Sequence, residues 1–315
     1  MAGSLPGEIE TVDNAVREGR FQRWLALVAA GASAMSGLEV AYEHYRGSYS
    51  RRVMYTPVAL SAALTAAGVA GFCDARAART VLPAVSLVTL GDGVLGLYFH
   101  VRGIARKPGG WRLPVTNMVM GPPVFAPLLF GISAYLGLLA SFLQRSDDGA
   151  APAAGVPMPA HPGHWAHRLG LPAELIDLEQ DVREGRFQRQ MAVATMLSAA
   201  LSGFEAWYSH DKDRFRFPVQ YVPLASAVLL IAAAGGAIAN RRVAHTWLPA
   251  ASALAIASGA AGFYYHVRGV ARRPGGSRKL FYNIVYGPPV FAPLLFAASG
   301  FLGLLASLLR REGDA

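Results

Sequence analysis

Cysteine is nearly missing from this chain: Cys73 stands alone among 315 residues. A lone cysteine excludes an intramolecular disulfide and any cysteine-rich zinc or iron–sulfur site. Charge is scarce as well. Asp, Glu, Lys and Arg make up 16% of the chain, against about 25% in an ordinary soluble domain. Hydrophobic residues make up 53%, and the mean hydropathy is +0.31. That deficit is the composition of a polytopic membrane protein. The enzyme signatures that carry their chemistry in a short motif are missing too. There is no phosphate loop, no Gly-x-Ser-x-Gly elbow and no His-Glu-x-x-His. Gly91-Asp92-Gly93-Val94-Leu95-Gly96 spells the dinucleotide pattern, but it lies inside an apolar run rather than between a strand and a helix. Met1 to Asp13 is acidic and lacks the positive-then-apolar order of a cleavable signal peptide, so the first apolar run is expected to serve as its own insertion signal.

The net charge of +9 resembles a nucleic-acid signal only in its total. Its basic residues fall in short segments between apolar runs, as at Arg51-Arg52 and Arg106-Lys107. Those are places where lipid headgroups are met, and no basic helix or RNA-binding motif accompanies them. Nucleic acid is therefore excluded as a partner, and the lipid bilayer is expected.

What the chain has in abundance is itself. Residues 5–149 align without a gap on 171–315, 166 residues further on. Val16 to Arg23 (VREGRFQR) returns as Val182 to Arg189, and Gly121 to Phe130 (GPPVFAPLLF) returns unchanged as Gly287 to Phe296. Each copy carries four apolar runs of membrane-crossing length, which takes about 20 residues. They lie near 24–45, 54–73, 80–103 and 120–143, then near 190–211, 221–240, 246–269 and 286–309. The expected fold is therefore an all-α integral membrane protein of eight transmembrane helices. Because four is even, the copies would enter the membrane from the same side as parallel repeats about a pseudo-two-fold axis. Residues 1–149 and 171–315 form the two four-helix units, and the Pro/Ala/Gly-rich stretch 150–170 joins them. That linker holds His161, His164 and His167, but it has no counterpart and no means of fixing a metal geometry. Charged amphipathic segments, Glu8 to Arg23 and Glu174 to Arg189, precede each first run as interfacial helices or solvated lead-ins.

Prolines set the helix starts. Pro57 and Pro83 fall in first turns, where the missing N–H would be unpaired anyway. Gly121-Pro122-Pro123 is expected to open the fourth helix, with Pro127 bending it from inside.

The polar residues kept in both copies gather toward one face. Glu39, Tyr42, His44, Tyr55, Tyr98, His100 and Asn117 recur as Glu205, Tyr208, His210, Tyr221, Tyr264, His266 and Asn283. A carboxylate inside a span costs about 2.5–3.5 kcal/mol on insertion scales, so Glu39 and Glu205 are expected to face a partner within the bundle. The histidines point to a cofactor. Gly93 and Gly96 precede His100 by seven and four residues, which places them on its face of a helix, and Gly37 lies likewise under His44. Gly259 and Gly262 under His266, and Gly203 under His210, repeat the pattern. Glycines on that face would let a flat macrocycle approach the backbone, and imidazoles from the first and third spans would supply axial ligands to haem b. Arg102, Arg106, Arg268 and Arg272 would then meet propionates.

Three readings share this inventory. One is haem b held by His44, His100, His210 and His266 with Gly37, Gly96, Gly203 and Gly262 beneath them. The second is a non-haem transition metal held by Glu39, His44 and His100, and by Glu205, His210 and His266. It suffers because residues five apart stand about 140° apart on a helix. The third has no cofactor, with glycines for helix packing and histidines at helix ends. Asp92 lies in the third span where the second copy has Ser258. It marks a divergence of role between the copies, toward proton movement, or a hydrogen bond to a neighbouring helix.

The functional expectation is a membrane redox or electron-transfer subunit passing electrons between a soluble oxidoreductase and quinone. A small-solute or proton-coupled transporter and a non-catalytic anchor or assembly subunit are its rivals. The expected location is the bacterial inner (plasma) membrane, crossed many times. Of the 29 Lys and Arg, 15 fall on the site side and 14 on the side of the termini, so the positive-inside rule gives no orientation.

Overall fold

A computed structural model describes residue 15 and residues 20–142 and 186–309. The linker histidines and most of both amphipathic lead-ins lie outside the described residues. Among those described, all regular structure is helical. The first copy contributes α1 (Arg20–Arg46), α2 (Thr56–Cys73), α3 (Ala75–Arg79), α4 (Val81–Ala105), α5 (Pro114–Val119) and α6 (Ala126–Phe142). The second contributes α7 (Phe187–Asp211), α8 (Val222–Ala239), α9 (Arg241–His245), α10 (Trp247–Ala271), α11 (Leu280–Val285) and α12 (Ala292–Leu308). Four helical segments, 20–46, 52–73, 75–105 and 218–239, are long and apolar enough to cross a membrane. They mark a membrane protein. The helices α6 and α12 are apolar but only 17 residues long, about 25 Å at 1.5 Å per residue.

Proline chemistry shapes that shortness. The fourth run of each copy does not start as a helix at Gly121 or Gly287. Gly121 to Phe125 is irregular, and the helix begins at Ala126. Pro lacks an N–H and pushes the residue before it out of the helical region, so two consecutive prolines hold this stretch open. Pro127 and Pro293 consequently stand second in their helices and bend nothing. Pro57 and Pro83 lie in first turns as expected.

Each long helix turns sharply into the next. Asp74 closes α2 and caps α3, its carboxylate accepting from Ala77 N at 2.8 Å. Asn240 does the same before α9, accepting from Arg242 N at 2.9 Å. An Asp or Asn at this position satisfies amides that a helix start leaves unpaired.

Within a copy, α1 packs on α2 and α6, and α4 packs on α2 and α6; α7, α8, α10 and α12 repeat the arrangement. The core is small and hydroxylated as well as apolar. Leu25, Leu64, Leu82 and Leu136 are buried in the first copy, and Met191, Leu230, Leu248 and Leu302 in the second. Between them Ser33 donates to Ser61 O at 3.1 Å, and Ser198 and Ser299 share a 2.6 Å hydrogen bond. Close approach through small residues is how helices associate where the surroundings are as apolar as their side chains. Gly68 shows how close: a Cβ there would lie 2.7 Å from Ala26 O and 2.8 Å from Ala30 Cβ.

Gly68→Val should therefore lower stability by about 1–3 kcal/mol through overpacking. Gly31, whose Cβ would meet nothing within 4 Å, is the control. Gly31→Ala should leave stability unchanged or raise it by up to about 1 kcal/mol through helix propensity. Thermal unfolding of both variants in the same detergent checks this; a Gly68→Val protein as stable as the parent would contradict the packing.

Candidate functional site

The polar layer kept in both copies resolves into two places. The first is the seam between the copies. Glu39 on α1 accepts a hydrogen bond from the backbone N–H of Phe291, at 3.0 Å, just before α12. Glu205 on α7 accepts from the N–H of Phe125, at 2.7 Å, just before α6. Each carboxylate thus serves the helix start of the other copy, where amides are unpaired and the helix dipole favours negative charge. The Tyr208 hydroxyl donates to the second oxygen of Glu205, and Tyr42 is buried beside Glu39. Aromatic rings close the same seam, with Phe125 edge-on to Phe204 at 5.2 Å and Tyr45 edge-on to Phe281 at 5.7 Å. At its rim stands Lys212, just past α7, among Glu43, Arg46 and Lys107 of the first copy and Glu205 of its own. Burial holds its ammonium below the usual lysine range, with Arg46 and Lys107 adding to that and the two carboxylates opposing it.

The second place lies inside each copy. His44 Nδ1 is 2.7 Å from Met54 O, between α1 and α2. His100 Nδ1 bonds Pro123 O, and His266 Nδ1 bonds Pro289 O, both in the irregular stretch that the prolines hold open. A carbonyl can only accept, so Nδ1 carries a proton in all three, and in the neutral ring Nε2 then keeps its lone pair. His210 faces the carbonyl of Gln220, the residue matching Met54. The imidazoles also sit in pairs: His44 lies within electrostatic range of His100, and His210 of His266.

An aromatic box around His44 and His210 was not legible as such. Tyr49 lies edge-on to His44 at 6.1 Å and stacks on Tyr55 at 4.2 Å. Phe215 lies at the same 6.1 Å from His210 and stacks on Tyr221 at 4.5 Å. The backbone is left-handed here at Ser48 and Tyr49 (φ 59° and 44°) and again at Arg214 and Phe215 (φ 54° and 48°). Non-glycine residues in that region cost about 1–3 kcal/mol each and persist where the surroundings dictate them. The only advance signal was an aromatic at 49 and 215 five residues past each histidine.

Other residues of the layer are placed differently from their expectation. The amide of Asn117 donates to Pro108 O (3.1 Å) and Gly110 O (2.7 Å), and Asn283 repeats this on Pro274 O and Gly276 O. These asparagines hold the basic turn, whose glycines at 109, 110, 275 and 276 have positive φ. The four glycines assigned to a macrocycle face meet neighbouring helices. A Cβ at Gly37 would lie 2.5 Å from Ser61 Cβ, and one at Gly203 would lie 2.7 Å from Ala227 Cβ. Gly96 and Gly262 face Pro127 Cβ and Pro293 Cβ at 3.0 and 2.9 Å. Their missing side chains make room for helices. The carboxylates and the imidazoles also go separate ways, and no group of three or more His, Cys, Asp or Glu suited to a metal ion forms among the described residues. Asp92 accepts a hydrogen bond from the Thr56 hydroxyl at 2.6 Å, joining α4 to α2.

Comparisons with protein families, with curated proteins and with solved structures give no match for this chain.

The seam carries its own prediction. A buried amide robbed of a charged acceptor loses about 1.5–3 kcal/mol, so Glu205→Ala should destabilise by that order. Glu205→Gln, which keeps an acceptor oxygen, should lose less. Denaturant titration in mixed micelles measures both, and equal losses would argue against the carboxylate as acceptor for Phe125.

Proposed function

We propose that this protein is a membrane redox subunit in which His44 with His100, and His210 with His266, would hold two haem b groups. The observation that carries the reading is the shared state of the imidazoles. Ligating histidines characteristically donate their other ring N–H to a backbone carbonyl, which fixes the tautomer and leaves Nε2 for the metal. His44, His100 and His266 do so. Two imidazoles per copy are a donor set that haem b takes, but a macrocycle there would have to displace Ser61 and Pro127, or Ala227 and Pro293, from the glycines beneath the histidines. Haem supplies one-electron chemistry when bound. The chain's own part is to hold each ring plane through Met54, Pro123 and Pro289 and to cover His44 and His210 with stacked aromatics.

This reading takes the chain as eight spans in two parallel four-helix units, embedded in a bacterial inner membrane. Outward-facing apolar residues support the bilayer as surroundings: Val88, Val94 and Val228 are 59%, 63% and 64% exposed. Trp24 and Trp247 stand at one end of the helices, and Tyr98, Tyr264 and Tyr282 at the other, as interfacial aromatics do. Electrons would enter from a soluble oxidoreductase and leave to quinone.

The purified protein should show a Soret band and bind two haems per chain. His100→Ala and His266→Ala should each remove about half of the haem, and the double variant nearly all. A colourless wild-type protein after expression with ample haem supply would overturn the reading.

The seam supports a second reading, a proton-coupled transporter, in which Glu39 and Glu205 would lie as intramembrane carboxylates between the units that move. Flux into liposomes that is abolished by Glu39→Gln or Glu205→Gln is its expected signature. Undiminished flux in both variants, or none in the parent, would remove it.

A further inference from the structure

The face that bears the histidines is also where the chain keeps cations apart from carboxylates. No Asp or Glu occurs between Asp92 and Asp147, or between Asp213 and Glu312. Yet the end of α4 and the turn after it carry Arg102, Arg106, Lys107 and Arg112. The end of α10 and its turn carry Arg268, Arg272, Arg273, Arg278 and Lys279. None of these forms an ion pair among the described residues. The turns that present them are fixed. Asn117 or Asn283 pins each from its buried side, and two glycines of positive φ close it. Arg106 and Arg112 stand exposed, as do the matching Arg272 and Arg278.

The second observation is apolar. Around the short helices α5 and α11, Met120 is 67% exposed and Phe281 68%, beside Trp111, Val115 and Tyr282. In the second copy the exposed rings form one patch: Tyr282 and Tyr286 stand 4.7 Å apart, and Phe281 meets Tyr45 at 5.7 Å. Val115 matches Phe281 and Met120 matches Tyr286, so the copies have diverged in residue but not in apolar character. An exposed apolar cluster marks a contact surface. This one continues the outward faces of α4 and α10, where Val94, Tyr98 and Tyr264 are exposed as well. A soluble acidic partner would use the cations and leave the apolar side chains in water. Cations interleaved with aromatic and aliphatic side chains, at the end of an apolar helix face, suit the level where acyl chains give way to headgroups.

We propose that the two elements, 106–120 and 272–286, bind anionic phospholipid headgroups. The Arg and Lys side chains take the phosphates, and the neighbouring apolar side chains enter the acyl boundary. A zwitterionic headgroup offers the same phosphate but cancels its charge with an ammonium, so the elements select anionic lipid. This holds whichever reading of the histidines holds.

The test is native mass spectrometry of the full chain in detergent, titrated with phosphatidylglycerol against phosphatidylcholine of the same acyl chains. Phosphatidylglycerol should bind about tenfold or more tightly, with the advantage shrinking at about 0.5 M salt as the screening length falls. Arg106→Gln with Arg112→Gln, or Arg272→Gln with Arg278→Gln, should weaken retention at its own copy by about 25-fold, at about fivefold per cation near an anionic surface. Arg106→Lys with Arg112→Lys keeps the charge and should keep the lipid. Arg241→Gln with Arg242→Gln removes the same charge from the opposite end of α10 and should leave the preference unmoved. Equal retention of the two lipids by the parent protein would overturn the proposal. A loss from the Arg241 and Arg242 pair as large as from the others would do so too, because any cation would then serve. If one Gln pair gives no monodisperse protein, the pair in the other copy carries the same test.

Discussion

A carboxylate placed within an apolar bundle must find donors, and in each copy of this protein it finds them on the other copy. Glu39 reaches the amide before α12 and Glu205 the amide before α6. Both sides of the bargain are forced by physics. A helix that begins after Gly-Pro-Pro-Val has amides with no partner behind them, and the prolines prevent another turn from supplying one. The carboxylate, for its part, cannot be left unpaired inside an apolar bundle. The two requirements cancel only if the copies are apposed in one arrangement. The rings of Phe125, Phe204, Tyr45 and Phe281 then pack across the same seam.

That contact also accounts for the uneven divergence of the copies. GPPVFAPLLF is identical in both, while the other spans differ at many positions. The stretch does several jobs at once. Its second proline offers the carbonyl that accepts from His100 or His266, its first phenylalanine N–H donates to the opposite glutamate, and its later proline fills the space beside Gly96 or Gly262. A change at any of these positions disturbs a histidine, a seam and a helix contact together. An outward-facing valine such as Val88 or Val228 answers to none of them.

Much of this architecture was legible in the sequence, and the parts that were not share a cause. Apolar run lengths located all the long helices to within a few residues, since bilayer-length hydrophobic segments are a strong signal. Pro57 and Pro83 marked helix starts correctly. The fourth helix was misjudged because an apolar count runs straight through Gly-Pro-Pro-Val-Phe, whereas the backbone cannot. Periodicity placed Gly37 and Gly96 on the faces of His44 and His100, but a face is not a vacancy. Only the packed structure shows Ser61 and Pro127 filling it. The glutamates were recognised as needing partners; that the partner is a backbone amide 252 residues away for Glu39 and 80 for Glu205 is beyond any local pattern.

The histidines and the glutamates, read together as one layer, turn out to answer different demands. The glutamates close the seam. The histidines tie helix ends to adjacent loops and do so through the same ring nitrogen. Three of the four make the same choice, His100 and His266 toward the identical Gly-Pro-Pro-Val stretch of each copy and His44 toward a different loop, and Nε2 is the nitrogen left over in each. The strained, aromatic-covered turn over His44 and His210 points the same way. Left-handed tyrosine or phenylalanine is unfavourable in any ordinary connection, and it recurs here at matching positions with its ring against an imidazole. A fold that needed only to turn between two spans would place glycine there, as this chain does at 109 and 275. The cost is sustained where the ring is needed, and the ring stands beside the nitrogen pair proposed to bind iron.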